Sequence, residues 1–334
     1  MCSADLRRHE PVHAVNRALP WLVVAACGGG GSDPDAQQGP DAPNSSATPL
    51  VGTFQVSLVP SITTGGTTAP AYSSLLGKVY NGATLDAIVW ETAASMDGCT
   101  LLTPRVPFCA TPCGTSAVCV ENDTCKPYPM SQTVGTITAT GIATVAGDDM
   151  FSMDPIANAY QPPASKPLAY PAFREGEKLE LVTSGSAFAP SFTVGTRGVA
   201  ALNITSTAIA LESGSPLALT WTAPTAMGSK IHIKLDISHH GGSKGKIECD
   251  VADSGSVSIA SALVTQLLGL GAAGYPTIIV TRATTGSAAI SAGRIDLVAA
   301  STVEKPVSVP GVTSCTQTDE CPMGQTCQPD LTCR

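Results

Sequence analysis

Short runs of alternating apolar and polar residues, separated by turn-forming residues, fill the chain from Leu50 onward. A period of two is typical of strands with one buried face. The pattern predicts at least nine strands: Val51–Val59, Leu85–Thr92, Thr133–Val145, Lys178–Val182, Leu217–Thr222, Lys230–Ile237, Lys246–Val251, Thr277–Thr281 and Arg294–Ala299. One helix is predicted at Ile259–Leu268, because apolar residues recur there at helical spacing before Gly269 and Gly271.

Many strands and almost no helix predict an all-β fold. We expect a β-sandwich of immunoglobulin-like, fibronectin-like or jelly-roll-like type, with two small disulfide-rich units. The segment Pro216–Thr222 is typical of an inner sandwich strand, in which Leu217, Leu219 and Trp221 share the core face. The body is expected to span 50–304 with a cysteine-rich insertion at 99–127, and a second cysteine-rich unit follows at 305–334.

Lys230–Ile237 and Lys246–Val251 are expected to form an antiparallel hairpin, because odd positions are apolar and even ones polar on both strands. A register with Asp236 opposite Glu248 would place two like charges together, which destabilises a strand pair. A shift by two residues instead gives three complementary outer pairs above three apolar inner pairs. We predict this second register: Asp236–Lys246, Lys234–Glu248 and His232–Asp250 outside, and Leu235–Ile247, Ile233–Cys249 and Ile231–Val251 inside.

Composition excludes some classes of partner. The net charge is −8, charged residues make up 13% of the chain, and no basic cluster stands out. Nucleic-acid binding needs a concentrated positive surface, so we expect no nucleic-acid partner. An acidic surface also disfavours direct docking on anionic lipid headgroups.

A basic start with Arg7, Arg8 and Arg17 precedes an apolar run, Ala18–Ala26, that is too short to span a bilayer. This order predicts a signal peptide at 1–26, although Asp5 and Glu10 are unusual there and suggest a different start codon. Val24-Ala25-Ala26-Cys27 resembles a bacterial lipobox, which implies that Cys27 is lipidated and becomes the new N-terminus. The membrane would then be a partner through the acyl chains on Cys27.

Residues 27–49 are predicted to be the lipidated cysteine and a disordered tether. Positions 28–49 are rich in Gly, Pro and Asp and contain no aromatic residue and no Val, Ile or Leu. Such a segment cannot bury enough apolar surface to fold.

The chain has twelve cysteines, of which Cys2 leaves with the signal peptide and Cys27 is lipidated. An even remainder in an exported protein predicts disulfides. Bridges are expected to stay within each of two groups, and parity then leaves Cys99 to pair with Cys249. The groups are Cys109, Cys113, Cys119 and Cys125, and Cys315, Cys321, Cys327 and Cys333.

The last three cysteines of each group share the spacing C-x5-C-x5-C, so the two units form an internal repeat. The rival interpretation is two zinc sites of four thiolates each. Zinc ligands usually occur as C-x2-4-C, and an exported protein meets an oxidising compartment. We therefore expect disulfides and no metal.

The segment Ser314–Cys333, SCTQTDECPMGQTCQPDLTC, resembles the small cysteine-rich unit described as Dickkopf N-terminal-like. The whole layout of lipobox, tether, β-rich body and terminal cysteine unit resembles uncharacterised myxobacterial-type lipoproteins. These resemblances imply a place at the cell surface or in the periplasm, on the outer membrane. They imply no activity and no catalytic residue.

The turn after Ile237 is the densest polar stretch, and His239, His240, Ser243 and Lys244 are the candidate ligand-contacting residues. Gly241-x-Ser243-x-Gly245 also matches a hydrolase nucleophile motif, but that motif needs a strand-to-helix turn over a parallel sheet. A metal site with His232 and Asp236 is disfavoured, because these residues lie about 13 Å apart along a strand. His239 and His240 could still join other metal ligands. The remaining alternative is a hairpin turn with solvated histidines.

Three weaker features have ordinary structural explanations. Asp148-Asp149 and Asp250 with Asp253 lack the spacing of a calcium loop, so solvated turns are expected. Asn122 and Asn203 begin glycosylation triplets, which mean little in a bacterial lipoprotein. Trp90 and Trp221 are expected to pack in the core, since too few aromatic residues are present for a sugar-binding platform.

The sequence contains no convincing catalytic set and implies no cofactor. We therefore expect a lipid-anchored envelope or cell-surface protein with a binding or structural role and no enzymatic activity. Its partner would be an envelope protein or a glycan. The alternative is an envelope hydrolase or carbohydrate-binding protein that acts on peptidoglycan or polysaccharide.

Overall fold

The structure of the protein is a computed structural model that describes residues 48–64 and 67–334. The predicted signal peptide, the lipidation site at Cys27 and nearly all of the tether lie outside the described residues. In the described part of the chain, no helix combines the length and apolar character needed to cross a membrane.

Strands dominate the described residues, and the first begins at Leu50, where the alternating pattern starts. The strands are β1 Leu50–Val59, β2 Ile62–Thr64, β3 Thr67–Ala69, β4 Tyr72–Tyr80, β5 Val89–Met96, β6 Cys99–Arg105, β7 Ala117–Glu121, β8 Thr124–Pro127, β9 Ser131–Gln132, β10 Ile137–Thr140, β11 Met150–Met153, β12 Ala159–Tyr160, β13 Lys178–Thr183, β14 Thr193–Arg197, β15 Leu217–Thr220, β16 Lys230–Asp236, β17 Lys246–Ala252, β18 Ser256–Ile259, β19 Thr277–Ile290 and β20 Gly293–Pro306. Helix α1 spans Ser261–Gly269, and a 3-10 turn spans Thr318–Glu320.

Two predicted strands are shorter than expected. Of the predicted strand Leu85–Thr92, only the part from Val89 onward is strand. Residues 85–88 form a loop, and three of them line a cavity. Thr133–Val145 is reduced to Ile137–Thr140. Gly135 and Gly141 flank this strand with φ angles of 82° and 79°, a conformation that breaks an extended chain.

One sheet of ten strands organises the body, in the order β12-β4-β1-β20-β19-β16-β17-β6-β5, with β9 beside β4. β1 and β20 run parallel, and the other neighbouring pairs along this order are antiparallel. β19 and β20 form a hairpin with 14 residues in each strand, longer than the sequence predicted. The inner face of this sheet carries the cores, and we call the opposite face the outer face.

The first core lies between the large sheet and a second sheet of order β11-β10-β13-β14. Phe54 and Leu297 of the large sheet and Ile137 and Leu181 of the small one are completely buried in it. Each such side chain stabilises the fold by roughly 1.5–3 kcal/mol relative to exposure. This arrangement confirms the predicted all-β, sandwich-like class.

The second core lies under the other half of the large sheet, where β15, β18 and α1 cover it. Leu217, Leu219 and Trp221 are all buried there, as the sequence predicted. The predicted helix is confirmed, but Ile259 ends β18 and the helix itself begins two residues later. Gly271, with φ +83°, follows its end.

The β19–β20 hairpin joins the two cores, and a polar pair occupies its inner face between them. Arg282 is paired with Ser301 across the two strands, and their exposures are 1% and 0%. The hydroxyl oxygen of Ser301 accepts a hydrogen bond from the Leu202 amide at 2.9 Å. The chain after β14 is thereby fixed where it crosses the hairpin.

The five disulfides of the described residues include the predicted pair Cys99–Cys249, whose Cα atoms are 4.0 Å apart. This bridge joins directly opposed residues of β6 and β17. Both small units have the same interlocked connectivity, first to third and second to fourth cysteine. The bridges are Cys109–Cys119 and Cys113–Cys125 in one unit, and Cys315–Cys327 and Cys321–Cys333 in the other.

Candidate functional site

A cavity of about 430 Å³ opens on the outer face of the large sheet, near its β5 edge. We call it the Trp90 cavity. β6 and β17 form its floor, and β5, the loop from Thr84 to Ile88 and one residue of the first cysteine-rich unit form its walls. The lining residues are Thr84, Leu85, Asp86, Ile88, Val89, Trp90, Leu102, Val120, Lys246 and Glu248.

The hairpin register positions the charged residues of this cavity. β16 and β17 pair with Asp236 opposite Lys246 and with Lys234 opposite Glu248, and all seven observed pairs agree with the predicted register. Lys246 and Glu248 are two positions apart on β17, so both side chains point to the outer face. The register therefore places Lys246 and Glu248 on the face where the cavity lies.

Lys246 is the unexpected residue of this face. The sequence placed it in an outer charge pair, yet its side chain is only 1% exposed. The Nζ atom lies 2.8 Å from Glu248 Oε1 and 4.1 Å from the centre of the Trp90 ring. A desolvated cation–π contact of this kind contributes roughly 2 kcal/mol. The two contacts hold the ammonium and orient the indole ring.

Trp90 was expected in the core, and this expectation is wrong. It follows Val89 at the start of β5 and is only partly buried, at the wall of the cavity rather than inside either core. The alternating pattern could not show this position, because the register of β5 against β6 shifts between Thr92 and Ala94. Such a shift moves the side chains that precede it relative to those that follow.

The polar groups of the Trp90 cavity differ in kind. The Lys246 ammonium is buried against Glu248 and Trp90, whereas Glu248 and Asp86 offer carboxylate acceptors to the cavity. Leu85, Ile88 and Val89 add aliphatic surface. The site thus combines a few convergent polar groups with apolar walls, which is the usual composition of a small-molecule site.

A second cavity of about 400 Å³ adjoins the first and shares Leu85 with it. Its walls come from the segment 81–85 on one side and from the end of β8 and the residues up to Met130 on the other. Tyr128 and Met130 on this second side are 48% and 65% exposed. The two cavities together run between the 81–88 loop and the first cysteine-rich unit.

The predicted ligand-contacting loop lies elsewhere, in the turn between β16 and β17. The rings of His239 and His240 are 4.0 Å apart, and His240 is exposed with φ +63°. Ser243 and Lys244 are exposed. None of the four lines either cavity described above.

This loop is attached to the C-terminal cysteine-rich unit through Gly274. The His239 carbonyl accepts a hydrogen bond from the Tyr275 amide at 2.8 Å, and the Gly274 amide donates to the Asp330 carbonyl at 2.7 Å. The Thr332 hydroxyl holds the pKa of Asp330 below its usual range, and Lys244 adds a smaller attraction of the same sign. The contacts of the loop are thus structural. Its role in ligand binding stays a prediction.

Asp253 corrects another expectation, because it is not in a solvated turn. Its carboxylate accepts hydrogen bonds from Arg282 Nε at 2.6 Å, Trp221 Nε1 at 2.7 Å and Ser229 Oγ at 2.7 Å, and its side chain is 2% exposed. Burial alone would raise the pKa of Asp253. The hydrogen bonds from Arg282, Ser229 and Trp221 outweigh it, so this pKa is lowered. The network joins Asp253 to three other segments of the body, so its role is structural. Neither of the two cavities described above lies beside it.

The remaining metal-site candidates are accounted for by other bonds. The described residues bring Cys109, Cys113 and Cys119 together, and likewise Cys315, Cys321 and Cys333, but every one of these sulfurs is in a disulfide. Cysteine binds zinc as a thiolate, which a disulfide does not provide. Asp148 forms an exposed ion pair with Lys166 at 2.6 Å, and Lys166 lowers its pKa.

Comparison with known proteins identifies no family. No protein-family model matches the sequence, and no curated protein matches it. Among solved structures, the chain is similar to the crystal structure of the chicken CNTN1 FN1-FN3 domains, with 12% identity over 72% of this chain and 68% of that chain. The TM-score is 0.17, so the fold class rests on the sheets and cores described above.

Proposed function

We propose that the protein is a lipid-anchored component of the bacterial envelope that binds another envelope component in the Trp90 cavity. The observation that carries the proposal is the grouping of Lys246, Glu248, Asp86 and Trp90 around one open cavity of about 430 Å³. The scaffold behind it is rigid, because the floor belongs to the ten-stranded sheet and is bridged by Cys99–Cys249. Binding sites are commonly built from loops on such scaffolds.

The anchoring part of the proposal rests on the lipobox-like sequence before Cys27 and on the resemblance to myxobacterial-type lipoproteins. The five disulfides support export, since they persist in oxidising compartments. The tether would separate the body from the outer membrane. The Dickkopf-like unit at the C-terminus is then a stapled module that stiffens the body.

Fractionation tests the anchor. In cells, Cys27→Ser should move the protein out of the membrane fraction or leave an uncut precursor. Cys2→Ser is the matched control, because this cysteine would leave with the signal peptide and fractionation should not change. A correctly processed Cys27→Ser protein that stays in the membrane would contradict the anchor.

Capture from envelope extract tests the binding site. The full-length protein, purified in detergent and immobilised, should retain an envelope component that Trp90→Ala loses by at least about tenfold. Tyr72→Ala is the control. Tyr72 is 54% exposed and lies on β4, near the edge of the sheet farthest from β5 in the strand order. Equal recovery with Trp90→Ala, or no recovery with the natural protein, would overturn the proposal.

An envelope hydrolase is the second candidate, and one observation favours it. Asp86 and Glu248 line the same cavity, and two carboxyl groups are the residue set that glycoside hydrolysis uses. Release of reducing ends from peptidoglycan or polysaccharide, lost in Glu248→Gln, would support catalysis. Binding without release leaves the first proposal in place.

A further inference from the structure

We infer that the Trp90 cavity takes a neutral sugar residue of a glycan chain. This inference rests on the proposed binding function and adds the chemical class of the ligand. It depends on the charge balance of the cavity, on the character of its walls and on its continuation toward Tyr128.

The charges of the cavity disfavour an anionic ligand. Lys246 is already paired with Glu248 at 2.8 Å, and Asp86 adds a second carboxylate to the lining. An anionic ligand would therefore meet two carboxylates against one ammonium that is already paired. Like charges repel strongly where water is partly excluded. A neutral ligand avoids this cost.

The polar groups suit hydroxyl groups in particular. A hydroxyl is a hydrogen-bond donor, so it can donate to the carboxylates of Asp86 and Glu248. Hydrogen bonds to charged groups are about twice as strong as neutral ones. A ligand with several hydroxyl groups on one ring would use both of the carboxylates that line the cavity.

The walls suit the apolar side of a sugar ring. Trp90 lines the cavity with an indole that carries the Lys246 ammonium over one ring face, and Leu85 and Ile88 offer aliphatic surface. A pyranose ring presents C–H groups on its faces and hydroxyl groups around its edge, so it matches a lining that is apolar on one side and polar on the other. The volume of about 430 Å³ lies in the range of small-ligand sites.

The adjoining cavity gives a path for the rest of the chain. It begins at the shared Leu85 and passes Tyr128 and Met130, with aromatic and proline surface and few polar groups. A glycan that places one ring beside Trp90 can extend along this second cavity. The ligand is therefore expected to be an oligosaccharide rather than a free monosaccharide.

Calorimetric titration of the full-length protein in detergent tests the inference. The neutral probes are N-acetylated chitohexaose, cellohexaose and maltohexaose. The charged probes are the fully deacetylated, cationic form of chitohexaose and anionic oligogalacturonate. At least one neutral probe should bind, with a Kd below about 1 mM, and the anionic probe should bind more weakly.

Variants tie the binding to the cavity. Trp90→Ala should weaken binding of the neutral probe by at least about tenfold. Trp90→Phe should retain part of it, because an aromatic ring remains, and Tyr72→Ala should leave it unchanged. The inference is overturned if none of the neutral probes binds, if Trp90→Ala binds as the natural protein does, or if only charged probes bind.

The envelope capture separates this inference from the proposed function. Captured material that depends on Trp90 and is destroyed by periodate, but not by protease, supports a glycan. Material that depends on Trp90 and is destroyed only by protease refutes the sugar inference and leaves the binding function standing. If no captured material depends on Trp90, both the proposed binding function and the sugar inference are refuted.

Discussion

The guanidinium of Arg282 clamps the carboxylate of Asp253 with two hydrogen bonds, Nε to Oδ2 at 2.6 Å and Nη2 to Oδ1 at 3.0 Å. Both side chains are almost completely buried. The same guanidinium donates to the carbonyl oxygens of Ala200 and Thr222. One side chain of β19 therefore holds the turn after β17 and two crossing segments.

Arg282→Met should destabilise the protein by about 3–5 kcal/mol, because it leaves a buried carboxylate without its charge partner. Urea unfolding measures the change. The matched control is Arg105→Met, which removes an arginine paired with Glu91 and Glu121 at the exposed β5–β6 edge. That variant should change stability little, and a similar loss in both variants would contradict the structural role of this network.

The lowered pKa of Asp253 makes part of the stability depend on pH. Folding favours its ionised form, so this contribution is fully present above the ordinary aspartate pKa of about 4 and is lost as the pH falls through the lower folded value. Asp253→Asn removes this dependence. The stability difference between the natural protein and Asp253→Asn should therefore be largest near pH 7 and shrink below about pH 4. A difference that stays constant down to pH 2 would show that Asp253 does not titrate as described.

The Cys99–Cys249 bridge should contribute more to stability than any bridge of the small units. Its sequence separation is 150 residues, against 12 for Cys113–Cys125. Restriction of the unfolded chain then gives about 5 kcal/mol for the first bridge and about 3 kcal/mol for the second. Urea unfolding of the two double Cys→Ala variants measures this. Equal losses would argue against the ranking by loop length.

Gly286 lies where β14 passes close to the long hairpin. A Cβ atom at this position would meet the carbonyl oxygen of Gly195, whereas one at Gly269 would meet nothing within 4 Å. Gly286→Ala should thus cost about 1–3 kcal/mol through overpacking. Gly269→Ala should be neutral or stabilise α1 by up to about 1 kcal/mol. Thermal unfolding of both variants tests the contrast, and equal melting temperatures would be inconsistent with the close crossing.

Local patterns were enough to predict the β16–β17 hairpin. The alternation fixed which face each residue occupies, and the repulsion between Asp236 and Glu248 excluded the competing register. Parity was enough for Cys99 and Cys249. The other cysteines of the body fall into two groups of four that pair internally, so only these two remain. These features depend on neighbouring residues or on simple exclusion.

The Trp90 cavity could not be predicted in the same way. Lys246 is buried because a loop some 160 positions earlier in the chain covers the outer face beside it, and no local pattern reports such a contact. Asp253 was misplaced for a similar reason, since its partner Arg282 lies on a strand whose length the sequence underestimated. In both cases a charged residue gains its role from a distant segment.

Hydrogen–deuterium exchange of the full-length protein, with and without its captured envelope component, measures directly which segments the bound component protects. Binding in the Trp90 cavity predicts slower exchange in peptides that cover residues 84–90 and 246–248, and unchanged exchange in the loop from His239 to Lys244. Protection of the His239–Lys244 loop without protection of 84–90 would show that the binding site is this loop and not the Trp90 cavity.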